Sequence, residues 1–226
     1  MLAVASGLLG PRATWYLARA SGLTAWCLVL ASVLLGLIMS SKPKWRGLPP
    51  AWRLDLHRFL AVLALFFTAL HVAALLVDPS VPFRVVDVLV PFASRWRPSA
   101  IAGGVVAVYL LVVVEVTSLL MRKLPRKWWH RIHLSSIVLL AAATAHGLMS
   151  GTDVGNRAVD GVLAAAGVVT LQLVAYRLWR ARTNRSGRSS GRAPVVAIAR
   201  ASGERSARRV RTGGDEGEPQ AVGARP

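Results

Sequence analysis

All five histidines of this 226-residue chain, His57, His71, His130, His133 and His146, lie within or at the start of two long apolar stretches. A neutral imidazole is a good axial ligand for heme iron, and polar side chains inside a membrane are costly enough to mark functional positions. A lone interfacial histidine is more often a hydrogen-bonded surface group, so the argument rests on the pairs. His57 and His71 are 14 residues apart; on a helix that is about 21 Å of rise and a common face to within about 40°. His133 and His146 are 13 apart, with nearly the same rise, but an ideal helix leaves them about 140° from a common face. A distorted first turn or a local bulge near His133 would be needed, and such irregularities occur at functional sites.

The two histidine stretches are separated by one further apolar stretch, so both run in the same direction across a bilayer and their histidines match by depth. His57 then faces His133, and His71 faces His146. Each pair suits one heme iron ligated from both sides, giving two low-spin hemes stacked along the membrane normal that carry electrons rather than bind oxygen. His130 is a rival to His133, but its position further toward the water ranks it second. Arg58 and Arg131, with Arg122 and Lys123, are placed to neutralise heme propionates, although anchoring at the interface is their commoner role. Glu115 is the only acid well inside an apolar run; it faces a heme, lines a proton path or makes a structural hydrogen bond. Gly103 and Gly104 allow a macrocycle or a neighbouring helix to come close, and helix packing is the commoner reason for such a pair. No side chain is singled out as catalytic.

The elements that position these residues are helices. The chain is 54% hydrophobic and its charge sits in blocks between long apolar runs, unlike a soluble domain. Runs of about 18 or more apolar residues cross a bilayer as helix, and the period-two alternation of a barrel is missing. Spans are expected near 22–40, 57–77, 100–121, 132–149 and 158–179. The fold class is therefore an all-α integral membrane bundle of five transmembrane helices. Between the second and third spans, Val85, Val86, Leu89 and Val90 predict a short amphipathic helix on the membrane surface. No internal repeat and no phosphate-binding glycine motif is visible.

The net charge of +18 does not indicate nucleic acid, because 12 of the 28 Lys and Arg lie from Arg177 onward and most others flank apolar runs. The connections after the first and third spans and the C-terminal tail are basic, whereas the opposite side holds only Arg12, Arg19, Arg84, Arg95, Arg97 and Arg157. The positive-inside rule then predicts a multi-pass protein of the cell membrane with its N-terminus outside and its C-terminus cytoplasmic. The expected organisation is an N-terminal segment over 1–21, a membrane domain over 22–180 and a disordered basic tail over 181–226 that touches anionic lipid. The start lacks basic residues before its short apolar run, so no cleaved signal peptide is expected. Cys27 is the only cysteine, which excludes disulfide frameworks and CxxCH heme attachment within one chain.

The LDLHR sequence leading into His57-x13-His71, and WWHRIHL leading into His133-x12-His146 followed by GLMSGTD, resemble the ferric reductase-like transmembrane domain family. That family includes ferric reductases, the membrane part of NADPH oxidases and the heme subunit of periplasmic methionine sulfoxide reductase systems. The likeness covers roughly residues 20–180. It implies two heme b groups ligated by His57, His71, His133 and His146, and a heme-containing transmembrane oxidoreductase passing single electrons. The chain departs from larger relatives in showing neither a flavin domain nor a nicotinamide-binding domain, and in five spans where many have six. The resemblance therefore implies a separate electron donor (a flavoprotein, a quinol or a separately bound flavin) and an outer-side acceptor. Two other functions compete: a quinol-linked diheme cytochrome b, for which 14-residue gaps in both helices are expected, and a heme-free membrane scaffold or transporter.

Overall fold

The computed structural model describes residues 11–40, 49–79, 83–151, 157, 160–180 and 182–183. Among these residues all regular structure is helical: α1 (Pro11–Ser40), α2 (Pro50–Val77), the short α3 (Val85–Leu89), α4 (Pro98–Leu119), α5 (Arg126–Leu134), α6 (Ser136–Ser150) and α7 (Asp160–Arg180). Five segments are long and apolar enough to cross a membrane, with α5 and α6 together forming the fourth. The protein is a helical membrane bundle, as its hydropathy pattern requires. Proline opens α2 and α4, where its fixed φ suits the first turn and its missing N–H is not needed.

Two departures from the apolar runs have physical causes. The first helix begins at Pro11 rather than near residue 22. Arg19 interrupts the apolar run but not the helix, its guanidinium lying 5.0 Å from the ring centre of Trp15. Trp15 and Tyr16 are exposed there, as aromatic side chains at a membrane interface are. The fourth span is not one continuous helix. At Ser135 the backbone N–H donates to the Ile132 carbonyl at 2.9 Å, an i to i−3 bond, and the side-chain hydroxyl donates to the same oxygen at 2.6 Å. This tight turn, two residues past His133, is the irregularity that the 13-residue gap calls for.

The chain divides into two compact units, Met1–Ala175 and Tyr176–Pro226. In the first, α1 packs along α2 and α4 packs along α5 and α6, forming two hairpins, and contacts of α1 with α6 and of α2 with α4 join them. Val29, Val33, Leu37, Ala64, Ala107, Leu111, Leu139 and Leu140 form the buried core. Ala18, Ala25, Ala74, Ala100 and Ala102 are also buried, because small residues let helix backbones approach where lipid supplies no hydrophobic drive between helices. Outward, Phe59, Val62 and Phe66 of α2 are exposed, a face that matches hydrocarbon rather than water. Near mid-span the Trp26 indole of α1 donates to Thr144 Oγ1 of α6 at 2.9 Å, and Thr144 donates to the Leu140 carbonyl at 2.7 Å.

The expected surface helix is α3. Asp87 holds its first turn by accepting the Arg84 backbone N–H at 2.8 Å and pairing with the Arg84 guanidinium at 3.1 Å. The pairing holds the Asp87 carboxyl below its ordinary range. Val85, Leu89, Val90 and Phe92 are exposed, and the Tyr109 hydroxyl donates to the Leu89 carbonyl. Arg97, left-handed at φ 42, starts α4 and donates to the Met149 carbonyl at 2.6 Å. That contact places a cation on the C-terminal end of α6, where helix carbonyls lack partners. In the second unit, Tyr176 and Trp179 contact at 6.1 Å and Arg180 donates to the Tyr176 hydroxyl at 3.3 Å. Apart from Arg182 and Thr183, the tail expected from residue 181 lies outside the described residues.

Candidate heme site

The structure brings together the four histidines that depth matching pairs. The ring centres of His57 (α2) and His133 (α5) are 5.9 Å apart with planes at 71°. Those of His71 (α2) and His146 (α6) are 6.3 Å apart with planes at 79°. The steep angles exclude ring stacking. Two metal–imidazole bonds of about 2 Å, with about 1 Å more from each coordinating nitrogen to its ring centre, place facing rings about 6 Å apart. Both pairs meet that spacing. Among the described residues no group of three or more His, Cys, Asp or Glu comes together; two-donor pairs suit an iron whose other positions belong to a macrocycle.

A second set of contacts aims these rings. His71 Nδ1 is 2.6 Å from the Ala18 carbonyl, His146 Nδ1 is 2.8 Å from the Ala100 carbonyl, and His57 Nδ1 is 3.1 Å from the Ser32 carbonyl. A carbonyl oxygen only accepts, so in each case Nδ1 carries the proton and neutral Nε2 keeps its lone pair. A metal ligand needs this tautomer, and the carbonyl contact raises its basicity. The Ser32 hydroxyl also lies 3.1 Å from His57 Nδ1, and Ser118 Oγ lies 3.4 Å from His133 Nδ1.

Each carbonyl anchor already accepts a helical N–H and must be reached past the residue four positions later, on the same face one turn on. At all three positions that residue is glycine: Gly22 after Ala18, Gly36 after Ser32, Gly104 after Ala100. A Cβ at Gly22 would lie 2.8 Å from His71 Nδ1, at Gly104 2.8 Å from His146 Nδ1, and at Gly36 3.4 Å from His57 Cε1. Gly22 and Gly104 are thus closed to any larger residue unless the ring moves. Gly103 meets only ordinary contacts at 3.8 Å.

These positions recur at the histidine spacing. Ser32 is 14 residues after Ala18, Gly36 is 14 after Gly22, and Ser118 is 14 after Gly104. The two hairpins therefore repeat one design, an anchor helix followed by a histidine helix, with Ser118 at the place of the fourth glycine. Sequence reading found no repeat because only a few positions carry it. It assigned Gly104 to contact with a macrocycle or helix, and the structure makes that contact the His146 ring. The available signal was the shared 14-residue interval of Gly22 to Gly36 and His57 to His71.

The remaining candidates occupy the basic side. Trp129 stacks on His133 at 5.1 Å and 20°, a support that sequence reading missed. His130 is exposed and lies at 6.2 Å from the Trp129 ring; His133, not His130, faces His57. The Arg58 guanidinium is 4.0 Å from the Asp55 carboxylate and both are well exposed. Arg131 lies over the Trp128 ring at 5.7 Å. Glu115 is half-buried on α4, one turn before Ser118.

A family model described as "ferric reductase like transmembrane component" matches residues 21–144, more than half of the chain and three of the four paired histidines. No curated protein and no solved structure matches the chain. Proteins of this family are membrane oxidoreductase components that generally bind heme. The chain belongs to the ferric reductase like transmembrane family.

Proposed function

We propose that this chain carries single electrons across the cell membrane through two b-type hemes, one held by His57 and His133 and the other by His71 and His146. The supporting observation is the meeting of two histidine pairs, at two depths, each at the separation that bis-imidazole ligation needs. Heme held between two imidazoles would supply one-electron chemistry here. The chain's own residues do the rest. The carbonyls of Ala18, Ser32 and Ala100 hold three imidazoles in the Nε2-ligating tautomer. Val29, Val33 and Leu111 help keep water from the bundle interior, and exclusion of solvent is one of the levers that set a potential. Arg58 and Arg131, on the basic side, balance propionate charge there. A separate flavoprotein or quinol, or a separately bound flavin, supplies the electrons, and an acceptor on the opposite side receives them.

The basic connections support, by the positive-inside rule, an orientation with the His57 and His133 pair toward the cytoplasm, the N-terminus outside and the C-terminus inside. A reporter fused after Arg180 is expected to be active only in its cytoplasmic form. Periplasmic activity alone would reverse the orientation.

Fully loaded protein is expected to contain two non-covalent hemes b per chain by pyridine hemochrome assay, with a low-spin visible spectrum. One heme or none contradicts the diheme reading, and none restores the heme-free scaffold.

His133→Ala is expected to remove one heme and keep the other, whereas His130→Ala keeps both. The reverse pattern would show that WWHRIHL ligates through its first histidine despite the contact of His133 with His57.

Gly104→Ala is expected to displace the His146 ring, because a Cβ there cannot coexist with Nδ1 at 2.8 Å. Heme occupancy should fall at the His71 and His146 site alone, read as about half the Soret absorbance of wild type at equal protein. Unchanged absorbance and unchanged potentials would mean that the ring moves at no cost to ligation.

A further inference from the structure

Among the described residues, three buried side-chain polar atoms lack any hydrogen-bond partner: Thr14 Oγ1, Arg53 Nε and Trp129 Nε1. An orphaned buried donor costs about 1–3 kcal/mol, and native proteins hold few of them. Their places are not scattered. Arg53 is four residues before His57 and Trp129 is four residues before His133, in each case one helical turn toward the basic side on nearly the same face as the histidine. His57 and His133 face each other, so Arg53 and Trp129 each sit one helical turn to the basic side of the same facing pair. Thr14 lies at the other end, one turn beyond Ala18, which anchors His71. The orphans bracket the two histidine pairs.

We propose that Arg53 and Trp129 form a two-donor carboxylate site that holds a propionate of the heme ligated by His57 and His133; this rests on the diheme reading. The chemistry of the donors selects an anion. Arg53 brings a permanent charge and a guanidinium N–H, and charge-assisted bonds to carboxylates are about twice as strong as neutral ones. Trp129 brings a neutral indole N–H from a ring fixed against His133 at 5.1 Å. Its donor is thereby placed relative to the axial ligand itself. Arg58 and Arg131 are less suited: Arg58 is exposed and near Asp55, and Arg131 lies over Trp128. They supply diffuse positive potential, whereas Arg53 and Trp129 supply buried donors beside the facing pair.

A cation on a propionate favours the reduced heme, so its removal should make that heme harder to reduce. The test is equilibrium redox titration of the purified full chain, with heme counted per chain, for wild type, Arg53→Gln, Arg53→Lys and Trp129→Phe. Arg53→Gln is expected to keep two hemes and to lower the reduced-to-oxidised ratio of one of them by about tenfold at fixed potential, about 59 mV for a one-electron couple. Arg53→Lys should restore most of that shift. Trp129→Phe, which keeps a ring for stacking but loses the N–H, should move the same heme by a smaller factor. Repeating the titrations with heme dimethyl ester, which lacks free propionates, should abolish the Arg53→Gln shift. A shift that persists with the ester means that the bound anion is a lipid or donor phosphate, and overturns the propionate assignment. Two hemes with unchanged potentials in Arg53→Gln and Trp129→Phe overturn it as well, as does an equal shift of both hemes. Wild-type protein without two hemes would instead remove the diheme reading on which the proposal rests.

Discussion

The hydrogen bond from a histidine Nδ1 to a carbonyl on the preceding helix is the contact on which the rest of the arrangement depends. A helix carbonyl accepts the N–H of the residue four positions later and keeps a second lone pair that a neighbouring donor can use. It is therefore an acceptor of fixed position. By accepting from Nδ1 it sets the tautomer, the ring plane and the height of the imidazole together. The anchor helix thus acts as the template and the histidine helix follows it. This dependence explains why glycine stands one turn past each carbonyl anchor. Without it the ring would meet a Cβ at 2.8 Å at Gly22 and Gly104 before it reached the oxygen.

This constraint also accounts for the choice of partners in the bundle. A histidine helix must lie directly along its anchor helix, which makes α1 with α2, and α4 with α5 and α6, the closely packed pairs. Contact between hairpins is left to fewer groups, among them the Trp26 to Thr144 bond and the small side chains of the core. Across the hairpins the facing histidine rings stand with their centres 5.9 and 6.3 Å apart. Packing is strong within the hairpins and sparser between them, the division that a flat, bulky cofactor between the facing histidines would need.

Hydropathy and charge were enough to read the five spans, and depth alone paired His57 with His133 and His71 with His146, because matching heights follow from the direction of crossing. The start of the first helix was not legible, since Arg19 ends an apolar run without ending a helix. The anchors were not legible either. Alanine and serine carbonyls carry no side-chain signature, and Gly22 and Gly36 look like ordinary packing glycines until a ring is placed against them. Trp129 reads as an interfacial tryptophan, and its stack on His133 and buried indole N–H separate it from the exposed Trp128.

The unequal gaps of 14 and 13 residues find their explanation in the turn at Ser135. On the anchor helices the interval is 14 in both hairpins, from Gly22 to Gly36 and from Gly104 to Ser118. The second histidine helix, one residue shorter, must still span the same height. A 3₁₀ turn rises about 2.0 Å per residue against about 1.5 Å in an α-helix, and winds about 20° further at each step. Three residues in that form bring a 13-residue step to about 21 Å, equal to 14 residues of α-helix, and reduce the angular mismatch from about 140° to about 80°. Ile132 accepts both the Ser135 N–H and its hydroxyl, which holds the overwound turn in place. The turn at Ser135 thus supplies part of the extra rise and twist that the shorter step needs, at the start of the stretch between His133 and His146.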